Sequence, residues 1–169
     1  MLSKLWLIRS LKSISPKFGT IYILGSWYGN LSLLILDKHL AFDKIINVDI
    51  NKSALRKGDS MTDKISKPDR IESMCKDANK LDYQQLGKDG LVINTSCNNI
   101  PGKDWFNHIP KGTMVALQGR NLDPKAVNHY DDLNSFLDTY PCSELLHAKE
   151  IELEDPETKY SRYMLIGIK

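Results

Sequence analysis

The sequence predicts an α/β fold: a mostly parallel sheet with helices on both faces, ended by an antiparallel hairpin. Three observations carry this. Short β-rich apolar runs alternate with helix-like stretches from Thr20 to Leu117, the pattern of a parallel sheet with crossover helices. The run Ile21-Tyr22-Ile23-Leu24 breaks into Gly25-Ser26-Trp27-Tyr28-Gly29, and an apolar stretch, Leu31 to Leu36, follows at once. The tail holds two β-rich runs, Leu145–Leu153 and Tyr160–Ile168. They are joined by Glu154-Asp155-Pro156-Glu157-Thr158-Lys159, turn chemistry too short for a parallel crossover.

The elements follow in order. Residues 1–19 form a leading amphipathic helix or arm, in which Met1 to Arg9 mixes apolar side chains with charges. The charges interrupt the apolar part and no small-residue cleavage site follows, so it does not read as a signal peptide. Strand 1 is expected at Thr20–Leu24 and the first crossover helix at Asn30–His39. Strand 2, Lys44–Asp49, ends in an acid. Asn51 suits a helix cap, because its side-chain oxygen can accept a free N–H of the first turn. The helix after it is expected to run through Leu55 and fray near Gly58, with Pro68 marking its end. Strands 3, 4 and 5 are expected at Ile71–Cys75, Leu91–Asn94 and Thr113–Leu117. A helix at Asp131–Thr139 precedes the hairpin.

Length and composition set the class. A chain of 169 residues fits one domain, residues 1–169, large enough to bury a core without staples. Apolar residues at 41% and charged residues at 26% are ordinary globular proportions. No apolar run approaches the roughly 18 residues of a membrane span. The three cysteines, Cys75, Cys97 and Cys142, form neither a CxxC pair nor a zinc-ligand pattern with the four histidines. A reducing, cytoplasmic setting without a metal is the expectation. The net charge of +2 does not call for nucleic acid as a partner. Lys52, Arg56, Lys57, Lys64, Lys67 and Arg70 read as a solvated helix face and the loop after it. A homo-oligomer is compatible with the sequence.

Strand, glycine turn, helix, strand and acid is how nucleoside cofactors are gripped. Turn glycines let backbone approach the ligand, and the acid ending the second strand accepts ribose hydroxyls. Asp49 lies 20 residues beyond Gly29, the spacing such a unit needs. The alternative for Asp49 is a carboxylate favoured by the positive end of the following helix.

The chain resembles the class I S-adenosylmethionine-dependent methyltransferases, over roughly residues 18–169. Ile23-Leu24-Gly25-Ser26-Trp27-Tyr28-Gly29 resembles their Gly-x-Gly-x-Gly loop, and Val48-Asp49-Ile50-Asn51 their ribose-binding acid. Lys76-Asp77-Ala78 looks like the pair that lies beside the adenine. Leu91-Val92-Ile93-Asn94-Thr95-Ser96-Cys97 corresponds to the strand-4 end where that family keeps its chemistry. The resemblance implies a Rossmann-like, seven-stranded sheet and S-adenosylmethionine as cofactor. The implied cofactor contacts are Gly25, Ser26, Trp27, Tyr28, Gly29, Asp49, Ile50, Asp77, Ala78 and Asn94.

Two residues depart from the family pattern. Trp27 replaces the middle glycine, and Ile23 stands where the family has an acid that orients the loop around the methionine part of the cofactor. Two alternatives to methyl transfer follow: a binding or scaffolding module with a degraded site, and transfer of another group from the same cofactor. A nicotinamide enzyme fits less well, because Gly-x-Gly-x-x-Gly is absent.

Chemistry is expected at the end of strand 4. Asn94 is a candidate for holding an acceptor amino group. The Pro-Pro-aromatic that follows such an asparagine in amino-methyltransferases is replaced by Thr95-Ser96-Cys97. Cys97 is a candidate nucleophile, or else a buried inert thiol, since no partner that would ionise it is visible. Trp105 is expected either to stack on a flat acceptor or to join the core, with Phe106 in the core. His108 reads as a surface residue or a general base. Arg120, just past strand 5, is a candidate for meeting a carboxylate or phosphate of the acceptor. The acceptor itself is not legible.

Overall fold

The computed structural model describes residues 2–63, 70–122, 126–154 and 158–169. Helix α1 (Leu2–Ile14) leads into β1 (Lys17–Leu24), α2 (Asn30–Asp37), β2 (Ala41–Asp49), α3 (Lys52–Thr62) and β3 (Ile71–Cys75). A 3-10 turn, Ala78–Lys80, precedes β4 (Leu91–Asn94), α4 (Asp104–Asn107), β5 (Met114–Arg120), α5 (Leu133–Thr139), β6 (Glu144–Glu154) and β7 (Lys159–Ile168). The strands form a seven-stranded sheet in the order β3-β2-β1-β4-β5-β7-β6. The five strands from β3 to β5 are parallel, and β7 runs antiparallel to both β5 and β6. This is the expected fold class, with the hairpin at one edge and β7 inserted between β5 and β6.

Side chains alternate across the sheet and feed two cores. Ile21 and Ile23 of β1 pack with Leu7, Ile8 and Leu11 of α1 and with Leu31 and Ile35 of α2. The intervening Tyr22 and Leu24 face Trp105, Phe106, Phe136 and Tyr140, carried by α4, α5 and the turn after α5. The leading helix therefore packs on the sheet. No helix among the described residues is long and apolar enough to cross a membrane.

The strand 3 and strand 4 bounds match the expectation. Elsewhere the ends move, for local reasons. The strand-5 ladder runs on to Arg120, because β7 continues pairing there, with Arg120 opposite Arg162. Helix α2 stops at Asp37, not His39. His39 takes a left-handed φ of 52°. The His39 and Leu40 N–H groups return to the Leu36 and Ile35 carbonyls, a Schellman stop with histidine in the glycine position.

Helix α3 does not fray at Gly58. It is capped by Asn51, whose Oδ1 accepts the Ala54 N–H at 3.0 Å, and it continues to Thr62. Gly58 is buried against the loop after β1: a Cβ there would lie 2.9 Å from the Tyr28 carbonyl oxygen. The glycine's helix cost of about 1 kcal/mol is accepted where a close backbone approach is needed. Pro68 lies outside the described residues.

Candidate functional site

The carboxyl ends of β1, β2 and β4 surround a cleft of about 390 Å³, within the range of small-ligand sites. Gly25, Trp27, Val48, Asp49 and Ile50 line one side. Lys76, Asp77 and Ala78 line a second, and Ser96, Asn99, Ile100 and Pro101 a third. The structure thus brings together Gly25, Trp27, Asp49, Ile50, Asp77 and Ala78.

The turn after β1 is held in the shape of a glycine loop although one glycine is missing. Gly25, Trp27 and Gly29 take φ of 61°, 50° and 66°. Left-handed backbone costs a residue with a Cβ roughly 1–2 kcal/mol. Asp49 offsets that cost at Trp27. Its Oδ2 accepts the Trp27 N–H at 2.8 Å, and its Oδ1 accepts the Asn51 N–H at 2.8 Å. Asp49 therefore organises the loop and the start of α3 together. Each oxygen keeps a lone pair for a further donor. Gly25 has no Cβ because one would press on Ser96, 3.1 Å away.

Trp27 is 56% exposed and its ring stacks on Tyr28 at 4.6 Å. Tyr28 does not line the cleft; Lys57 sits over its ring at 5.8 Å. Ser26 binds through its backbone, donating to the Val48 carbonyl at 3.1 Å, while its hydroxyl is enclosed without a partner. Gly29 is the residue before α2 and donates to the Ser26 carbonyl. Asp77 caps the 3-10 turn, its Oδ1 accepting the Asn79 N–H at 3.0 Å, and it also lines the cleft. Ile50, 75% exposed, forms the apolar rim.

Three candidates lie away from the cleft. Asn94 was placed at the crevice, but its side chain is wholly buried and is not part of the cleft lining. Its Oδ1 accepts the Ser96 N–H at 2.8 Å, closing the turn that brings Ser96 to the wall, and its Nδ2 is enclosed without a partner. Cys97 takes the second of its two alternatives, a buried thiol. Its thiol is buried and donates to the Asn94 carbonyl, and burial pushes its pKa up to about 12, away from the reactive thiolate.

Trp105 cannot stack on an acceptor. It has no exposed surface and meets Phe106 and Tyr140 at 5.8 and 5.3 Å. Its carbonyl accepts the Tyr83 hydroxyl at 2.8 Å, which ties the short α4 into the core. Phe106 is in the core as expected, and His108 is exposed.

Ser96, Asn99, Ile100 and Pro101 line the cleft but were not singled out from sequence. The signal was their position: they lie within seven residues of the end of a buried strand. Asparagines fix this loop. Asn98 donates to the Arg120 and Asn128 carbonyls and accepts the Arg120 N–H. Asn128 donates to the Cys97 and Ile100 carbonyls at 2.8 and 2.6 Å. Arg120 stands apart from the cleft, over the Tyr160 ring at 5.5 Å and opposite Arg162.

No protein-family model matches the sequence, and no curated protein is similar to it. Solved structures are similar in fold. The N-methyltransferase NodS of Bradyrhizobium japonicum WM9 superimposes with a TM-score of 0.71 at 8% identity, over 99% of this chain and 95% of that one. Magnesium protoporphyrin IX methyltransferase of Synechocystis PCC 6803, solved with bound SAM, gives 0.66 at 12% identity over 98% and 76%. Geranyl diphosphate methyltransferase in complex with SAM gives 0.69 at 10% identity over 97% and 84%. The fold is that of the class I S-adenosylmethionine-dependent methyltransferases.

Proposed function

We propose that this protein binds S-adenosylmethionine in the Gly25–Asp49 cleft and transfers its methyl group to an acceptor. The observation that carries the reading is Asp49. It ends β2 at the cleft wall, is fixed by two backbone N–H groups, and retains acceptor capacity on both oxygens. A carboxylate held in this way suits two adjacent ribose hydroxyls. Ile50 and Ala78 offer apolar surface to a purine, and Asp77 has one oxygen outside the turn for an exocyclic amino group. The residues present therefore fit the cofactor.

S-adenosylmethionine supplies a methyl group activated on a sulfonium. The chain's task is then alignment and exclusion of water, not acid–base work. That suits a cleft without histidine or an accessible thiol among its lining residues. The Trp27 substitution favours a working site over a degraded one, because the loop keeps three left-handed residues and the Trp27 N–H still meets Asp49.

Calorimetric titration with S-adenosylmethionine and S-adenosylhomocysteine tests the reading. Binding of either is expected. In Asp49→Ala it should weaken about tenfold to a few hundredfold, since two charge-assisted hydrogen bonds of roughly 1.5–3 kcal/mol each are partly replaced by water. Absence of binding by the folded wild-type chain would exclude the proposed function.

A further inference from the structure

Among the described residues, the one aromatic side chain that lines the cleft is Trp27. Its ring is more than half exposed, so the stack on Tyr28 covers one side and leaves much of the ring open. Neither the backbone nor burial accounts for an indole at this position. Trp27 holds a φ of 50°, a conformation that glycine adopts without strain, so the turn itself does not call for a side chain. An exposed ring also gains little from the hydrophobic effect.

The charges of the cleft wall are unevenly placed. The charged lining side chains are Asp49, Lys76 and Asp77. Asp77 belongs to the Ala78 end, and Asp49 is held by the Trp27 and Asn51 N–H groups. At the Gly25 end the wall is neutral. Ser96 and Ile100 approach so closely that a Cβ on Gly25 would lie 3.1 and 3.6 Å from them. Ile23, two residues earlier, is buried against α1 and α2. Among the described residues this end therefore offers a cation no carboxylate of its own. It offers the Trp27 ring, whose face attracts positive charge through its quadrupole.

In the frame of the proposed function, on which this assignment rests, the ligand brings such a charge. The sulfonium of S-adenosylmethionine is one carbon from the ribose. A ribose held by Asp49 carries that charge beside the loop whose Trp27 N–H the same carboxylate accepts. We infer that the Trp27 ring receives the sulfonium in a cation–π contact, and so distinguishes the charged methyl donor from the neutral thioether left after transfer. The backbone of residue 27 serves Asp49, and its side chain serves the donor's charge. A site built in this way favours fresh donor over spent product.

Calorimetric titrations of the full chain with S-adenosylmethionine and S-adenosylhomocysteine test the assignment, and the readout is the ratio of the two affinities. 5′-Methylthioadenosine and its S-methyl sulfonium repeat the comparison without the amino-acid part. In Trp27→Leu the preference for the sulfonium member of each pair should fall roughly threefold to thirtyfold, the range of cation–π contacts from exposed to desolvated. Trp27→Phe should keep part of the preference. Leucine is not β-branched, so it meets about the same backbone cost as tryptophan at this φ. Far-ultraviolet circular dichroism checks the fold. Should Trp27→Leu fail to fold, replacement of tryptophan by mono- and difluorotryptophan decides, because fluorine weakens the quadrupole and keeps the ring's shape. The other two tryptophans do not line the cleft: Trp6 meets His147 and Trp105 is in the core. The preference should fall stepwise with fluorination.

An unchanged ratio in Trp27→Leu or in the fluorinated chain, with both ligands still bound, overturns the role of the Trp27 ring and leaves the cofactor reading standing. Equal losses for both members of a pair overturn it as well, since they make the ring a wall for the nucleoside. If the folded wild type binds none of the four compounds, the cofactor reading fails and this assignment falls with it.

Discussion

Two regions along the carboxyl edge of the sheet are built differently. At the β1–β2 end, backbone does most of the work. Three left-handed residues shape a turn, and one carboxylate, Asp49, ties that turn to the start of α3 through two N–H groups at 2.8 Å. At the β5–β7 end the work falls to side chains: Lys4, Gln118, Arg120 and Arg162, brought together from α1, β5 and β7. The first carries the carboxylate of Asp49, with Lys76 and Asp77 across the cleft. The second is cationic. Under the proposed function, a nucleoside with vicinal hydroxyls suits the first.

The contrast also explains what could be read in advance. Gly25 to Asp49 is one continuous stretch, so the turn, the helix and the acid appear in order along the chain. The cationic end joins residues 4, 118, 120 and 162, and only the insertion of β7 beside β5 makes Arg120 and Arg162 neighbours. Arg120 was legible because it ends a strand; Arg162 and Lys4 were not, because nothing local marks them. The Asn94 error has the same origin. The sequence places Asn94 at the end of an apolar strand, but pairing of Leu24, Asn94 and Leu117 across β1, β4 and β5 keeps its side chain inside the sheet. Gly58 misled for a related reason: the Tyr28 carbonyl that it accommodates is 30 residues away.

The largest expected effect tests whether Trp105 is rigid core beneath α4 and α5. Trp105→Ala should destabilise the chain by about 3–5 kcal/mol, the usual range for removing a buried tryptophan. Nucleoside affinity of the fraction that remains folded should be unchanged. Urea unfolding beside titration separates the two quantities. A stable Trp105→Ala with lost ligand binding would return Trp105 to the crevice.

A smaller effect tests whether the β1 turn is a backbone device. Trp27 holds a φ of 50°, so the side chain's role and the backbone's can be separated by paired variants. Trp27→Gly should change stability by less than about 1 kcal/mol, because relief of left-handed strain opposes the greater freedom of an unfolded glycine. Trp27→Val should cost about 1–2 kcal/mol more than Trp27→Gly, since a β-branched residue resists that conformation. Equal stabilities for the two variants would mean that the loop shape does not depend on φ at residue 27.

The smallest effect concerns how α1 is clamped onto the cationic end, and it is read through pH. His147 of β6 meets Trp6 of α1 edge-on, with ring centroids 6.2 Å apart. Its Nε2 is enclosed without a partner. Burial, and then Lys149, lower its pKa from the ordinary value, so the folded chain prefers the neutral ring. The unfolded chain protonates near pH 6.5. The stability tied to the neutral ring is therefore fully present above that pH and is lost as pH falls toward the lower folded value. His147→Gln cannot titrate, so the urea midpoint between pH 7.5 and pH 5 should fall less steeply than in wild type. Hydrogen exchange gives the spatial half of the test. Acid should loosen the amides of α1 before those of α2 and α3, because the Trp6 contact belongs to α1 alone. An identical pH slope in His147→Gln, or an equal loss of protection in α2, would show that the two ends of the molecule respond to acid as one.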